Sequence, residues 1–306
     1  MLYPTHKRMG ILWGLLAFPL GVFIGLVPVI SSDMTGIELF MVLMCSYLGI
    51  RGALFGARFP DIDSPSSRPR KMHPFIGKIF DAFGVKHRGK YSHDFLSIGL
   101  TFGIIYMFTA IVGDRFVQNV AEGGSVIGTI AYYSFVIFIW IIAISGVDFL
   151  QWLANKMKNK RLWARLQSKR LIFGAMIALP LFVILWVSGV YSPFDVFGGI
   201  DKSRAIMNAM LLVTSFKVYI LFALVGAYSH LFADMLTKTG VSIFFIPIKP
   251  MGIVASVRKI PVIGKFLVPL DPKTGGKWED LVKFIVTVVC IPATVVAAMA
   301  LLGVWG

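Results

Sequence analysis

Cysteine, acidic side chains and extended polar chain are what this sequence has least of. Its 306 residues include two cysteines, Cys45 and Cys290, both inside apolar runs, so no disulfide framework is implied. Asp and Glu total 15 against 30 Lys and Arg, a net charge of +15. Low-complexity tracts, internal repeats and a long soluble segment are missing, and residues 1–306 read as one integral membrane domain. What fills the chain is apolar: 57% hydrophobic residues and a mean hydropathy of +0.79, far above a soluble domain.

About 20 apolar residues cross roughly 30 Å of hydrocarbon. Segments approaching that length predict an all-α bundle of about seven spans: Ile11 to Ile30, Ile37 to Ala57, Phe95 to Val112, Val126 to Leu150, Leu171 to Val190, Met207 to Phe232 and Leu281 to Val304. The sixth carries Lys217, which must snorkel or face a partner. Lys7 and Arg8 precede the first run as in a secretory signal. That run is longer than a usual signal core and no small-residue cleavage site follows, so we read it as retained.

Basic residues set the expected orientation. Arg58, Arg68, Arg70, Lys71, Lys78, Lys86, Arg88 and Lys90 lie between spans two and three, and two further groups lie between spans four and five and spans six and seven. The intervening connections hold only Arg115, Lys202 and Arg204 among their acidic residues. This alternation predicts a cytoplasmic N-terminus and a C-terminus on the far side. Nucleic-acid binding is not expected, because positive-inside loops account for the charge and carry few aromatics.

Ionisable residues are costly beside hydrocarbon, so their clustering in such a chain points to use. Pro60-Asp61-Ile62-Asp63 follows span two, His87-Arg88-Gly89 and Ser92-His93 precede span three, and Ser229-His230 with Asp234 ends span six. His6 precedes span one and Glu279 opens span seven. All fall on the predicted cytoplasmic face, where helix ends can converge. His and Asp together hold hard or borderline divalent cations, and His230 and Asp234, four apart, share a helix face. Candidate ligands for a divalent cation are therefore His6, Asp61, Asp63, His87, His93, His230, Asp234 and Glu279.

Each piece also has a plainer reading. Asp-Ile-Asp after proline suits a turn, the His87 to His93 segment suits a basic loop near lipid head groups, and Glu279 suits the start of a helix. His6 fits a solvated N-terminus, and His73 we read as a loop histidine. The Gln151 to Arg170 segment reads either as a helix on the inner leaflet, with Trp152, Leu153, Met157, Leu162, Trp163 and Leu166 toward lipid, or as a plain extension of span four.

The chain resembles the YdjM-like membrane-bound metal-dependent hydrolases. The matching residues are His6, Phe59 to Pro65, His87-Arg88-Gly89 with Ser92-His93, Tyr228 to Thr237 continuing to Pro247, and more weakly Arg258 to Pro261 and Glu279. Lys90 and Tyr91 add one residue to the family's second cluster, and Asp94 replaces its serine. Residues from about 101 to 220 are longer than the family pattern. The family in turn is distantly similar to zinc-dependent phospholipase C and the fungal zinc nucleases, so the resemblance implies one to three divalent ions, zinc being the expected metal, and metal-assisted phosphoester cleavage at the inner leaflet. Asp63 or Asp94 would be the general base, and Arg88 would pair an anionic phosphoester bidentately. The expected partners are membrane lipids. A non-enzymatic protein with a structural ion, or one that recognises a lipid or protein, is the alternative. A metal transporter fits less well, since transporters bind near the bilayer midplane.

Overall fold

A computed structural model describes residues 3–32, 34, 36–85, 91–122, 150, 154, 157–187, 202–236, 241–243, 246–248 and 276–304. These are mostly helical and form two compact units. One comprises Met1–Met34, Leu39–Thr109 and Ser215–Gly306; the other comprises Thr35–Glu38 and Ala110–Thr214. The longer piece of the second lies inside residues 101–220. The helices are α1 (Tyr3–Phe23), α2 (Gly36–Gly56), α3 (Arg68–Met72), α4 (Pro74–Ala82), α5 (Phe95–Glu122), α6 (Lys160–Ser168), α7 (Arg170–Val187), α8 (Lys202–Met235) and α9 (Lys277–Leu301). A 3-10 turn, Pro60–Asp63, follows α2, and a two-stranded antiparallel hairpin, β1 (Val241–Ile243) and β2 (Ile246–Ile248), follows α8. The hairpin is the small departure from an all-helical expectation. Its β-branched residues suit strands, and Ser242 N–H donates to the His93 carbonyl at 3.3 Å.

Among the described residues, three helices are long and apolar enough to cross a bilayer: Phe95–Glu122, Ala209–Met235 and Lys277–Leu301, with a shorter apolar helix at Val42–Gly56. α1, α2 and α7 occupy three more of the segments expected to span, and Val126 to Leu150 lies outside the described residues except for Leu150. Half of the apolar window of Ala209–Met235 is buried (50%), against 11% for Phe95–Glu122 and 22% for Lys277–Leu301. α8 is thus a central element, whereas α5 and α9 expose Ile104, Phe108, Phe284 and Ile291 as lipid-facing helices do.

Two boundaries differ from the hydropathy pattern in ways that matter. α1 begins at Tyr3, so His6 sits in its first turn and is buried rather than solvated. It ends where Gly25 adopts φ +68°, letting the amides of Leu26 and Val27 both return to the Gly21 carbonyl at 2.9 and 3.0 Å. α8 runs to Met235, so His230 and Asp234 are both helical.

Within the first unit, small residues let backbones touch. A Cβ on Gly56 would collide with the Ala223 carbonyl, one on Gly226 with the Ala53 carbonyl, and one on Gly52 with the Tyr219 carbonyl, so α2 and α8 meet at backbone distance. Gly10 and Gly14 of α1 face the methyls of Ala57 and Ala53 at 2.6 and 2.8 Å from where their own Cβ atoms would stand. α1 also packs along α9 through Met9, Leu12, Val282 and Val286, and Arg8 donates to Thr287 Oγ1 at 3.0 Å.

In the second unit, Asn159 caps α6 by accepting from the Leu162 amide at 3.0 Å. Leu166 is buried and shares a cluster with Ala154, Phe173 and Ile177 rather than facing outward, and Met157–Asn159 interrupt what was expected as one helix over 151–170. Gln151 to Leu153 lie outside the described residues.

Replacing Gly56 or Gly226 by leucine inserts bulk against a carbonyl, and overpacking costs about 1–3 kcal/mol or more. Both variants should melt in detergent well below the parent protein. Gly103→Ala, whose added methyl meets open space, should melt at or slightly above it. A Gly56→Leu protein melting with the parent would contradict the α2–α8 contact.

Candidate metal centre

His230 is fully buried on α8, and its Nδ1 lies 2.9 Å from the carbonyl oxygen of Ala57. An oxygen acceptor at that distance places the ring proton on Nδ1 and leaves the Nε2 lone pair facing inward. This Nε2 makes no hydrogen bond; Asp234 Oδ2 stands at 3.4 Å and Asp61 Oδ1 at 3.8 Å. The ring of His6, brought in by α1, stacks on His230 with centroids 3.8 Å apart and planes 12° from parallel. His93, just before α5, meets His230 edge-on at 5.5 Å.

Asp234 is the hub. Its Oδ1 lies 3.5 Å from His6 Nε2, and its Oδ2 lies 3.7 Å from His93 Nε2 as well as 3.4 Å from that of His230. Ligand atoms of His6, His230 and Asp234 lie within 4.8 Å of one another, as do those of Asp61, His93 and His230. A tetrahedral zinc with bonds of about 2.0–2.1 Å separates its ligand atoms by about 3.3–3.4 Å. The observed N···O separations are thus of the size an interposed cation requires, and longer than the 2.7–2.9 Å of a charge-assisted hydrogen bond. Three imidazoles and carboxylates are also the donor set for such an ion.

The two aspartates of Pro60–Asp63 do different things. In a 3-10 turn, residues two apart point in different directions. Asp61 faces His230, while buried Asp63 accepts from Ser92 Oγ at 2.6 Å and sits 3.4 Å from His93 Nδ1. Ser92 Oγ is itself 3.1 Å from that nitrogen. Asp63 therefore stands behind His93, turning Nε2 inward in the carboxylate–histidine arrangement of metal sites. The turn is pinned from outside: Ser67 Oγ donates to the Asp61 carbonyl at 2.6 Å, and Arg70, paired with Asp81, donates to the Ile62 carbonyl at 3.2 Å.

The chain belongs to the YdjM inner membrane protein family. That family's sequence model matches residues 1–304. Neither the curated proteins nor the solved structures include a match. An inner-membrane family accords with the apolar helices described above.

Of the residues singled out in this YdjM-family sequence, His6, Asp61, His93, His230 and Asp234 come together. Asp63 is in the outer layer. Asp94 Oδ1 accepts from the Ser97 amide at 3.1 Å, capping the start of α5. Glu279 is buried and accepts from Thr5 Oγ1, next to His6; among the described residues it belongs to neither ligand group, and it ties α9 to α1. His87 and Arg88 lie outside the described residues. His73 sits between α3 and α4 with its ring edge-on to Phe55 at 5.2 Å. The sequence reading missed the Ala57 carbonyl and gave Thr5 and Ser92 no role. Ser92 had a signal, its place beside a candidate ligand, but a main-chain carbonyl has none.

Outer partners tune a site and inner ones make it. If the centre takes zinc, Asp63→Ala and Ser92→Ala should each weaken its binding by roughly 10–100-fold, whereas His230→Ala should abolish stoichiometric binding, as read by titration calorimetry and elemental analysis of the purified protein. Equal effects of all three would erase the two-layer distinction.

Proposed function

We propose that this protein is a metal-dependent hydrolase of the inner membrane, holding one divalent cation, zinc, and cleaving a phosphoester at the head-group level. What supports it above all is the convergence of His6, His93 and His230 Nε2 on the Asp234 carboxylate, 3.5, 3.7 and 3.4 Å away. His230 links both ligand groups but offers one inward nitrogen, so its lone pair serves a single ion. When bound, such a cation polarises a phosphoryl oxygen and makes an adjacent water more acidic.

The chain's own residues divide the remaining work. Asp61, with 26% of its side chain exposed against 6% or less for the others around Asp234, forms the edge by which water and substrate reach the site. We assign it the proton-accepting role in preference to Asp63, whose oxygen is engaged by Ser92, and Asp94, which caps a helix. Basic loops would draw an anionic phosphoester toward the surface. In this reading the chain crosses the membrane about seven times, with the site and N-terminus cytoplasmic.

The near-complete burial of His6, His93, His230 and Asp234 favours a second reading, an ion that only ties helix ends together. Protein stripped with a chelator and reloaded with zinc should hydrolyse bis-p-nitrophenyl phosphate or a phospholipid, with Asp61→Asn at least 10²-fold slower at unchanged zinc content. A zinc-dependent rise in melting temperature without turnover would support the tie instead. For orientation, alkaline phosphatase fused after Gly306 should be active and fused after Leu150 inactive; the reverse pattern would invert the topology.

A further inference from the structure

Beside the His–Asp centre, the first unit contains a cavity of about 520 Å³, within the range of about 300–1,000 Å³ typical of ligand sites. Its lining ties it to that centre through the chain. Phe59 immediately precedes Pro60-Asp61, and Tyr91 immediately precedes Ser92-His93. The rest comes from α4 and its exit, Ile79, Phe80, Phe83 and Val85, and from Thr101 on α5.

The wall is apolar and aromatic. Phe80 packs edge-on to Phe59 at 5.3 Å, and Phe59 in turn to Phe102 at 5.1 Å. Ile79, Phe80 and Phe83 recur at helical spacing on one side of α4, yet Phe83 is 79% exposed and Tyr91 68%. What covers such residues in a membrane protein follows from where the cavity leads. Thr101 lies roughly 9 Å along α5 from Phe95 at 1.5 Å per residue, and the flanking Leu100, Ile104 and Ile105 are exposed apolar side chains of a bilayer-crossing helix. Thr101 shares its helix face with Ile104 and Ile105, three and four residues on, so the α5 wall of the cavity lies on the face that carries those exposed apolar side chains. Exposed Lys71 and Lys78, on the same pair of short helices, supply positive charge for an anionic head group.

We propose that this cavity takes one acyl chain of a bilayer lipid, bringing that lipid's phosphate to the centre bounded by Asp61 and His93. The acyl site stands on its own observations; only the fate of the head group rests on the hydrolase reading.

The test is reconstitution in vesicles of phosphatidylethanolamine and phosphatidylglycerol containing phosphatidylglycerol with a diazirine halfway along one acyl chain. After irradiation, labelling should concentrate on residues 79–85 and Tyr91. It should fall at least five-fold in Ile79→Trp, which fills the space, and in Phe83→Asp, which charges its mouth. Labelling of Phe108 and Phe284 should stay constant, as should bound zinc. Phe83 is so exposed that its substitution leaves the fold intact, so that variant decides if Ile79→Trp does not fold. Cavity labelling no stronger than at Phe108 and Phe284, labelling insensitive to Phe83→Asp, or crosslinks there to a second copy would overturn the proposal. Loss of phosphoester turnover in zinc-loaded protein with cavity labelling intact would remove the hydrolase reading and leave the acyl site standing.

Discussion

The backbone-to-backbone approach of α2 and α8 is the constraint on which the site depends. Helices in lipid gain little from burying apolar side chains against each other, because the solvent is equally apolar; close approach through small residues is what holds them. Here Gly52, Gly56 and Gly226 permit that approach, and it delivers the Ala57 carbonyl to within 2.9 Å of His230 Nδ1. The packing contact and the electronic setting of the central histidine are therefore one arrangement. Any widening of the α2–α8 crossing would free the His230 ring to rotate and would take Asp61, just past the end of α2, out of reach.

Around this axis the polar residues form two layers with opposite demands. Two outer atoms are met within the protein: His230 Nδ1 by a carbonyl, and His93 Nδ1 by Ser92 and Asp63. Inner atoms face one another, imidazole nitrogens and carboxylate oxygens at 3.4 to 3.8 Å. Lone pairs gathered in a low-dielectric interior repel unless positive charge sits among them. A shared proton would draw its two heavy atoms to hydrogen-bond distance, whereas a cation holds several ligands apart at about the spacing observed.

Much of this was legible in the sequence, for identifiable reasons. His230 and Asp234 are one helical turn apart, so their shared face follows from periodicity alone, and the segregation of basic loops placed His6, Asp61 and His93 on the same expected side. The division of labour between Asp61 and Asp63 was not legible, because it depends on a 3-10 turn; two residues apart along a strand they would have pointed the same way. Asp94 stood as a candidate general base, yet an aspartate just before a helix is also an N-cap, and its Oδ1 accepts from the Ser97 amide. Small-residue spacing in α2 was visible, but spacing does not say whether its partner is another copy or, as here, α8.

Openness decides between a structural and a reactive ion. Structural zinc sites close their coordination with four protein ligands, whereas reactive ones leave a position to water. His6, His93, His230 and Asp234 alone would make a closed, buried set. Asp61 stands apart from these four: it reaches His230 Nε2 only at 3.8 Å and carries the one appreciably exposed side chain among the described members. A ligand at the longest distance and nearest to solvent is the one most easily displaced. The Asp61 edge is therefore the position at which a bound cation would meet an incoming oxygen, and exchange there is what would distinguish a reactive ion from one that fastens helices.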